Sequence, residues 1–147
     1  MGRKPVTHCR YNCVIYYERE IMKKALAITT LGEVTIIDLN EGSLEKLQKA
    51  VGGYVQAIDL SEGVTMWCNE EGKMMSLPHN PFGQAFWEVA FPVAEFGRTD
   101  YIVGDIVLTG GADDEGDTLG LTSEEIDELL KSVKWVADLI SPQITVL

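Results

Sequence analysis

Residues 24–39 read Lys24-Ala25-Leu26-Ala27-Ile28-Thr29-Thr30-Leu31-Gly32-Glu33-Val34-Thr35-Ile36-Ile37-Asp38-Leu39. An apolar run over Lys24–Thr30 ends near Gly32. A second run over Glu33–Leu39 carries Val34, Ile36, Ile37 and Leu39. Two β-rich runs separated by a short glycine-containing turn predict a hairpin. Leu44, Leu47 and Val51 then fall on one helical face, with Ser43 placed to cap the helix and Gly52-Gly53 to stop it. Tyr54–Leu60 and Val64–Cys68 read as two more adjacent strands around Ser61-Glu62-Gly63, and Lys73–Leu77 as a short extra one.

Asn80 followed by Pro81 marks the start of a second helix, whose apolar residues are Ala85, Phe86, Val89 and Ala90 and which Pro92 ends. Tyr101–Leu108 reads as a strand interrupted at Gly104-Asp105. The last helix has the clearest start, because Thr122 and Glu125 form a capping box. Ile126, Leu129, Leu130, Val133, Val136, Ala137 and Ile140 recur at helical spacing behind it, and Pro142 follows. Runs of neighbouring strands broken by helices predict an α+β domain, a mostly antiparallel sheet with about three helices.

The chain has 147 residues, of which 46% are hydrophobic and 24% charged, values of a globular protein with a core of its own. Collagen-like, disordered and coiled-coil readings drop out, and no apolar run is long enough to span a membrane. Three cysteines, Cys9, Cys13 and Cys68, are too few for a disulfide scaffold and lead to the expectation of a reducing cytoplasm. The 12 Lys and Arg face 23 Asp and Glu, a net charge of −11. That field disfavours direct nucleic-acid binding and anionic membranes, and it attracts basic surfaces.

The charge is unevenly placed. In residues 1–21, Arg3, Lys4, Arg10 and Arg19 outweigh Glu18 and Glu20, a net of +2, which leaves −13 on residues 22–147. Residues 1–21 are therefore expected to be a loose arm or to precede the true start at Met22, with a short first strand through Cys13–Tyr17 as the alternative. Residues 22–147 are expected to form a single acidic domain.

Chemistry-bearing motifs are sparse. Asp113, Glu115, Asp117 and Glu124 match positions 1, 3, 5 and 12 of a calcium loop, but Thr118 stands where the turn needs glycine. A solvated acidic loop is the plainer reading, and a metal-dependent hydrolase using these acids is the bolder one. His8, Cys9 and Cys13 resemble half a zinc site, with Cys68 and His79 as remote complements; a buried thiol is the plainer role for Cys68. No nucleophile elbow, Walker loop, dinucleotide glycine pattern or H-E-x-x-H occurs. The candidate donors for a small ligand such as a nucleotide are Tyr54, Asn69, Lys73, His79, Asn80 and Arg98. Trp67, Phe82, Phe86, Trp87, Phe91 and Phe96 are expected to be mostly core, with Trp87 the one that can face outward. Sites are expected on loops 69–80 and 109–120.

Several stretches together resemble a family. Met22-Lys23-Lys24-Ala25-Leu26-Ala27-Ile28-Thr29-Thr30 with Gly32-Glu33-Val34 resembles the opening of small acidic proteins encoded by phages, plasmids and bacteria, a domain of unknown function. Gly52-Gly53-Tyr54-Val55-Gln56-Ala57, Asn69-Glu70-Glu71-Gly72-Lys73 with Leu77-Pro78-His79-Asn80, and Gly104-Asp105-Ile106-Val107-Leu108 resemble its later steps, as Gly120-Leu121-Thr122 resembles the start of its final helix. The resemblance runs from about Met22 to Leu130. It implies no activity, cofactor or catalytic residue, and it implies an accessory role on mobile elements. With the charge, it leads to the expectation of a non-enzymatic protein without cofactor that blocks a host protein through that protein's basic surface, as nucleic-acid mimics do. A nucleotide-sequestering protein and a metal-dependent hydrolase are the rivals.

Overall fold

The computed structural model describes residues 23–40, 42–60, 63–92 and 101–140. Its elements are β1 (Lys24–Ile28), β2 (Val34–Asp38), α1 (Ser43–Val51), β3 (Val55–Asp59), β4 (Val64–Asn69), α2 (Pro81–Ala90), β5 (Ile106–Gly110) and α3 (Ser123–Ile140). The five strands form one sheet in the order β2-β1-β5-β4-β3, and every pairing is antiparallel. The α+β class with a mostly antiparallel sheet and three helices is therefore the observed one.

Both predicted hairpins form. Lys24 pairs with Asp38 and Ile28 with Val34, while Val55 pairs with Asn69 and Asp59 with Thr65. β5 lies between them, with Leu26 opposite Leu108 and Met66 also opposite Leu108. Because side chains alternate across a strand, the sheet has two apolar faces. Leu26, Ile28, Met66, Cys68, Ile106 and Leu108 face one way and pack with Phe82, Ile126, Val133 and Val136 of α2 and α3. Ala25 and Val107 face the other way and pack with Leu47 and Val51 of α1. β5 is buried at every position because helices cover it on both sides.

The α1 crossover follows from this order. β2 and β3 are opposite edges, so the link between them spans four strand spacings, about 19 Å. The nine residues of α1 supply about 14 Å of rise, and the flanking loops complete the distance. Gly42, in a left-handed conformation, is the N-cap of α1 and makes no side-chain cap bond, so Ser43 is the first helical residue and not the expected cap. Leu44 is exposed as well, because the first turn stands at the β2 edge, where Lys46 Nζ binds the carbonyls of Asp38 and Asn40, short of the strands the helix covers. Gly52 ends α1 at φ 82°, a conformation that favours glycine.

Lys73–Leu77 is not a strand. Met75 N–H bonds Glu71 C=O, and Leu77 N–H bonds Gly72 C=O, which winds residues 71–76 into successive turns. Met74 and Met75 are exposed there, so the apolar run that suggested a strand has no sheet to join. The predicted start of the long strand is also corrected. Val103 makes only an isolated bridge to His79, Gly104 turns at φ 80°, and β5 begins at Ile106.

Asn80 holds this junction together. It is fully buried, and its Oδ1 accepts from Phe82 and Gly83 N–H at 3.0 Å each. Its Nδ2 donates to Gly104 C=O at 2.8 Å and to Ile28 C=O at 3.4 Å. One side chain therefore caps α2 and ties it to the entry of β5 and the end of β1. Asn80→Ala is expected to lower stability by about 3 kcal/mol, since it removes a helix cap and leaves buried amide and carbonyl groups without partners. A shift of the urea midpoint without a change of slope checks this.

Asp38 gives a pH signature. Burial, the largest single influence, raises its carboxyl, but the N–H groups of Asn40 and Lys23 that bond Oδ1, the Asn40 side chain and the Lys46 charge together outweigh it and hold the carboxyl below 3.8. A carboxyl depressed in the folded state adds stability above its ordinary value and loses that contribution as pH falls through the folded value. Asp38→Asn is therefore expected to be less stable than wild type at neutral pH, with the difference closing as pH falls below 3.8. Denaturant titrations of both proteins across the acid range read this.

Candidate functional site: an acid-rimmed apolar groove

α2 and α3 lie on the same face of the sheet and do not close over it completely. Phe82 is buried under α2, and Ala85 and Phe86 are half-buried against the core. Val89, one turn on, is 79% exposed. The predicted apolar face of α2 thus exists, and its outer part opens onto solvent. On α3, Thr122 N–H bonds Glu125 Oε1 at 2.8 Å and Glu125 N–H bonds Thr122 Oγ1 at 3.1 Å, the capping box expected from the sequence. Ile126, Val133 and Val136 are buried beneath the helix.

Between the helices runs a groove of about 450 Å³. Leu60 just after β3, Val64 of β4, Phe86 and Val89 of α2, and Leu129 and Trp135 of α3 give it apolar walls. Glu124, Glu125 and Glu128 stand at the end formed by the first turns of α3, and among the described residues no lysine, arginine or histidine lines the groove. Glu128 lies 3.7 Å from Lys131, an exposed pair of little energetic weight. The helix N-terminus favours these carboxylates electrostatically. The arrangement suits contact with an apolar side chain flanked by cations.

Trp135 is 63% exposed, and the sequence reading missed it. The signal was present: Glu124, Glu128, Lys131 and Trp135 follow one another at helical spacing on the polar side of α3. An indole on that stripe is out of place for a core residue. Trp87, the aromatic read as the one able to face outward, is instead partly buried and packed on the core, with its ring 5.3 Å from that of Phe91.

The six ligand candidates do not form one site. Asn69 is buried, with Nδ2 donating to Val51 C=O at 3.1 Å and Oδ1 accepting from Glu71 N–H at 2.8 Å. Asn80 has both ends of its amide engaged in the fold, as above. Tyr54 and His79 are exposed on separate loops, and Arg98 lies outside the described residues. Lys73 Nζ sits 4.5 Å above the Tyr101 ring. Asn69 and Lys73 do share the wall of a second cavity of about 280 Å³, together with Gln56, Trp87 and Tyr101. The indole N–H of Trp87 is buried there without a hydrogen-bond partner among the described residues.

The acidic loop is a small turn in its own right. Asp113 Oδ1 accepts from Glu115 N–H and Asp117 N–H at 2.8 and 2.9 Å, and Ala112 bridges Thr118. Glu124 belongs to the rim of the groove instead. Among the described residues no three His, Cys, Asp or Glu side chains converge to hold a metal ion. Cys68 is buried in the core, whereas His8, Cys9 and Cys13 lie outside the described residues. Among the described residues no helix is long and apolar enough to cross a membrane.

No curated protein and no solved structure matches the chain. A family model does match, over residues 22–134, so that the segment before Met22 and the last turns of α3 fall outside it. The chain belongs to the family described as Domain of unknown function (DUF3846).

Proposed function

We propose that this chain is a non-enzymatic accessory protein, of the kind carried by mobile elements, that binds a host protein in the cytoplasm and blocks its basic surface. The observation that supports this reading is the groove between α2 and α3, apolar in its walls, carboxylate at one end and, among the described residues, without a cation in its lining. Exposed apolar area next to charge of one sign is the composition of a protein-binding patch. The net charge of −11 extends the same preference over the whole surface, and speeds encounter with a cationic partner. A partner that uses its basic surface for nucleic acid would be inhibited by competition.

A second reading, capture of a small molecule such as a nucleotide, draws on the smaller cavity, where the Trp87 N–H has no acceptor among the described residues and Lys73 supplies a cation. A nucleotide that raises the melting temperature of wild type but not of Lys73→Ala would favour it.

The test of the main reading is native mass spectrometry of the tagged protein withdrawn gently from host cells. A stoichiometric basic protein is expected on the wild type and is expected to dissociate in high salt. Glu124→Lys with Glu128→Lys is expected to weaken the purified complex by about tenfold or more, since rim charges set the rate of encounter and its salt dependence. A bare mass, or a complex indifferent to both salt and charge reversal, overturns the charge-driven reading.

A further inference from the structure

We infer that the groove between α2 and α3 receives an amphipathic helix of a basic partner, laid in as a third helix, with its cations at the end facing the first turns of α3. The inference rests on the protein-binding reading above and names the form the partner takes.

The geometry excludes an extended chain. Helix side chains and the apolar residues Leu60 and Val64 make the walls, and the backbone groups of α2 and α3 are already engaged within each helix. A strand laid there would bury its own N–H and C=O groups against side chains that cannot satisfy them. A helix arrives with those bonds already made, and needs only an apolar stripe at i, i+3/i+4 and i+7.

The length also fits. The lining of α3 runs from Glu124 to Val136, a rise of about 18 Å, which matches about 12 residues of a partner helix. Along that length the lining changes character. Glu124, Glu125 and Glu128 occupy the first turns, while Val133, Trp135 and Val136 occupy the far end. A partner helix therefore carries lysine or arginine at one end and bulky apolar residues at the other. Val89 and Trp135, at 79% and 63% exposure, are the anchors available to it. Their neighbours Phe86 and Leu129 are already partly packed on the core, so the anchors stand on a firm base.

The experiment uses the full chain and a synthetic peptide of about 14 residues, with leucines at i, i+3, i+7 and i+10 and three lysines in one terminal turn. A control peptide of the same composition has the leucine spacing scrambled. Titration is followed by the anisotropy of a fluorescent label on the peptide, a readout that does not depend on Trp135. The designed peptide is expected to bind at least about tenfold more tightly than the scrambled one, and Val89→Gln and Trp135→Gln are each expected to weaken it by about tenfold. Both variants leave the charge unchanged and alter positions that face solvent, and their melting curves are expected to follow wild type. Glu124→Gln with Glu128→Gln is expected to remove most of the salt dependence while leaving the preference for the ordered spacing.

Equal binding of both peptides, unaffected by Val89→Gln and Trp135→Gln, overturns the inference and leaves the attraction between an acidic surface and a basic partner standing. Absence of peptide binding at low salt also overturns it, and the reading above is then decided by mass spectrometry alone. A dimer in light scattering that either glutamine variant dissociates assigns the groove to a second copy of this chain and likewise overturns it.

Discussion

The structure depends on the insertion of Ile106–Gly110 between two hairpins that are remote from it in sequence. β1–β2 and β3–β4 each form locally, but an isolated two-stranded hairpin is marginal in water. β5 supplies the missing partner to both, and Leu108 stands opposite Leu26 on one side and Met66 on the other. That row of side chains is also the floor of the larger core. Every helix is then placed by a face of the completed sheet. The entry to β5 is held by Asn80, whose amide binds carbonyls at the end of β1 and ahead of β5. Hydrogen bonding at one buried side chain thus sets the depth at which α2 begins and the position at which β5 starts.

The groove is a consequence of mismatched lengths. The sheet strands are five or six residues long, about 17–20 Å. α2 has 10 residues and α3 has 18, which correspond to about 15 and 27 Å. The long helix overruns both the sheet and its neighbour helix. Its first part buries Ile126, and its middle buries Val133 and Val136. Beyond these, Leu139 and Ile140 remain exposed. Closing the gap from within would take a longer α2, and Phe91 already forms its C-cap, with Pro92 next in the chain.

Local rules carried much of the fold. The hairpins, the helix start at Asn80-Pro81, the glycine stop at Gly52 and the box at Thr122 and Glu125 depend on contacts within a few residues, so their sequence signs are direct. Three readings failed for non-local reasons. Leu44 has the spacing of a core residue but falls on a turn that lies short of the covered strands. Lys73–Leu77 has strand-like composition, yet its N–H groups bond carbonyls of residues 71–73 and the segment closes on itself. Asn69 and Asn80 read as donors for a ligand because polar loop residues often are; folded, their amides satisfy carbonyls of Val51, Ile28 and Gly104. The groove was out of reach for the same reason. It requires knowing that α2 and α3 share a face, and that depends on where β5 inserts.

The acidic rim alone says little about partners. Glutamates in the first turn of a helix are favoured by the helix dipole, and Glu125 is already engaged in the capping box. Stability of α3 therefore accounts for carboxylates at that end whether or not anything binds. It does not account for the indole on the polar side. Trp135 adds no buried apolar area comparable to that of Val133 or Val136, and exposing it is unfavourable by the same rule that buries them. Any surface that covered the ring would recover that cost. A surface that covers the ring and extends to the other end of the groove also meets Glu124 and Glu128, where a cation would compensate the carboxylates for lost water. On the proposed reading, the exposed aromatic would supply the apolar contact, and the carboxylates at the other end of the groove would supply the preference for a cationic surface.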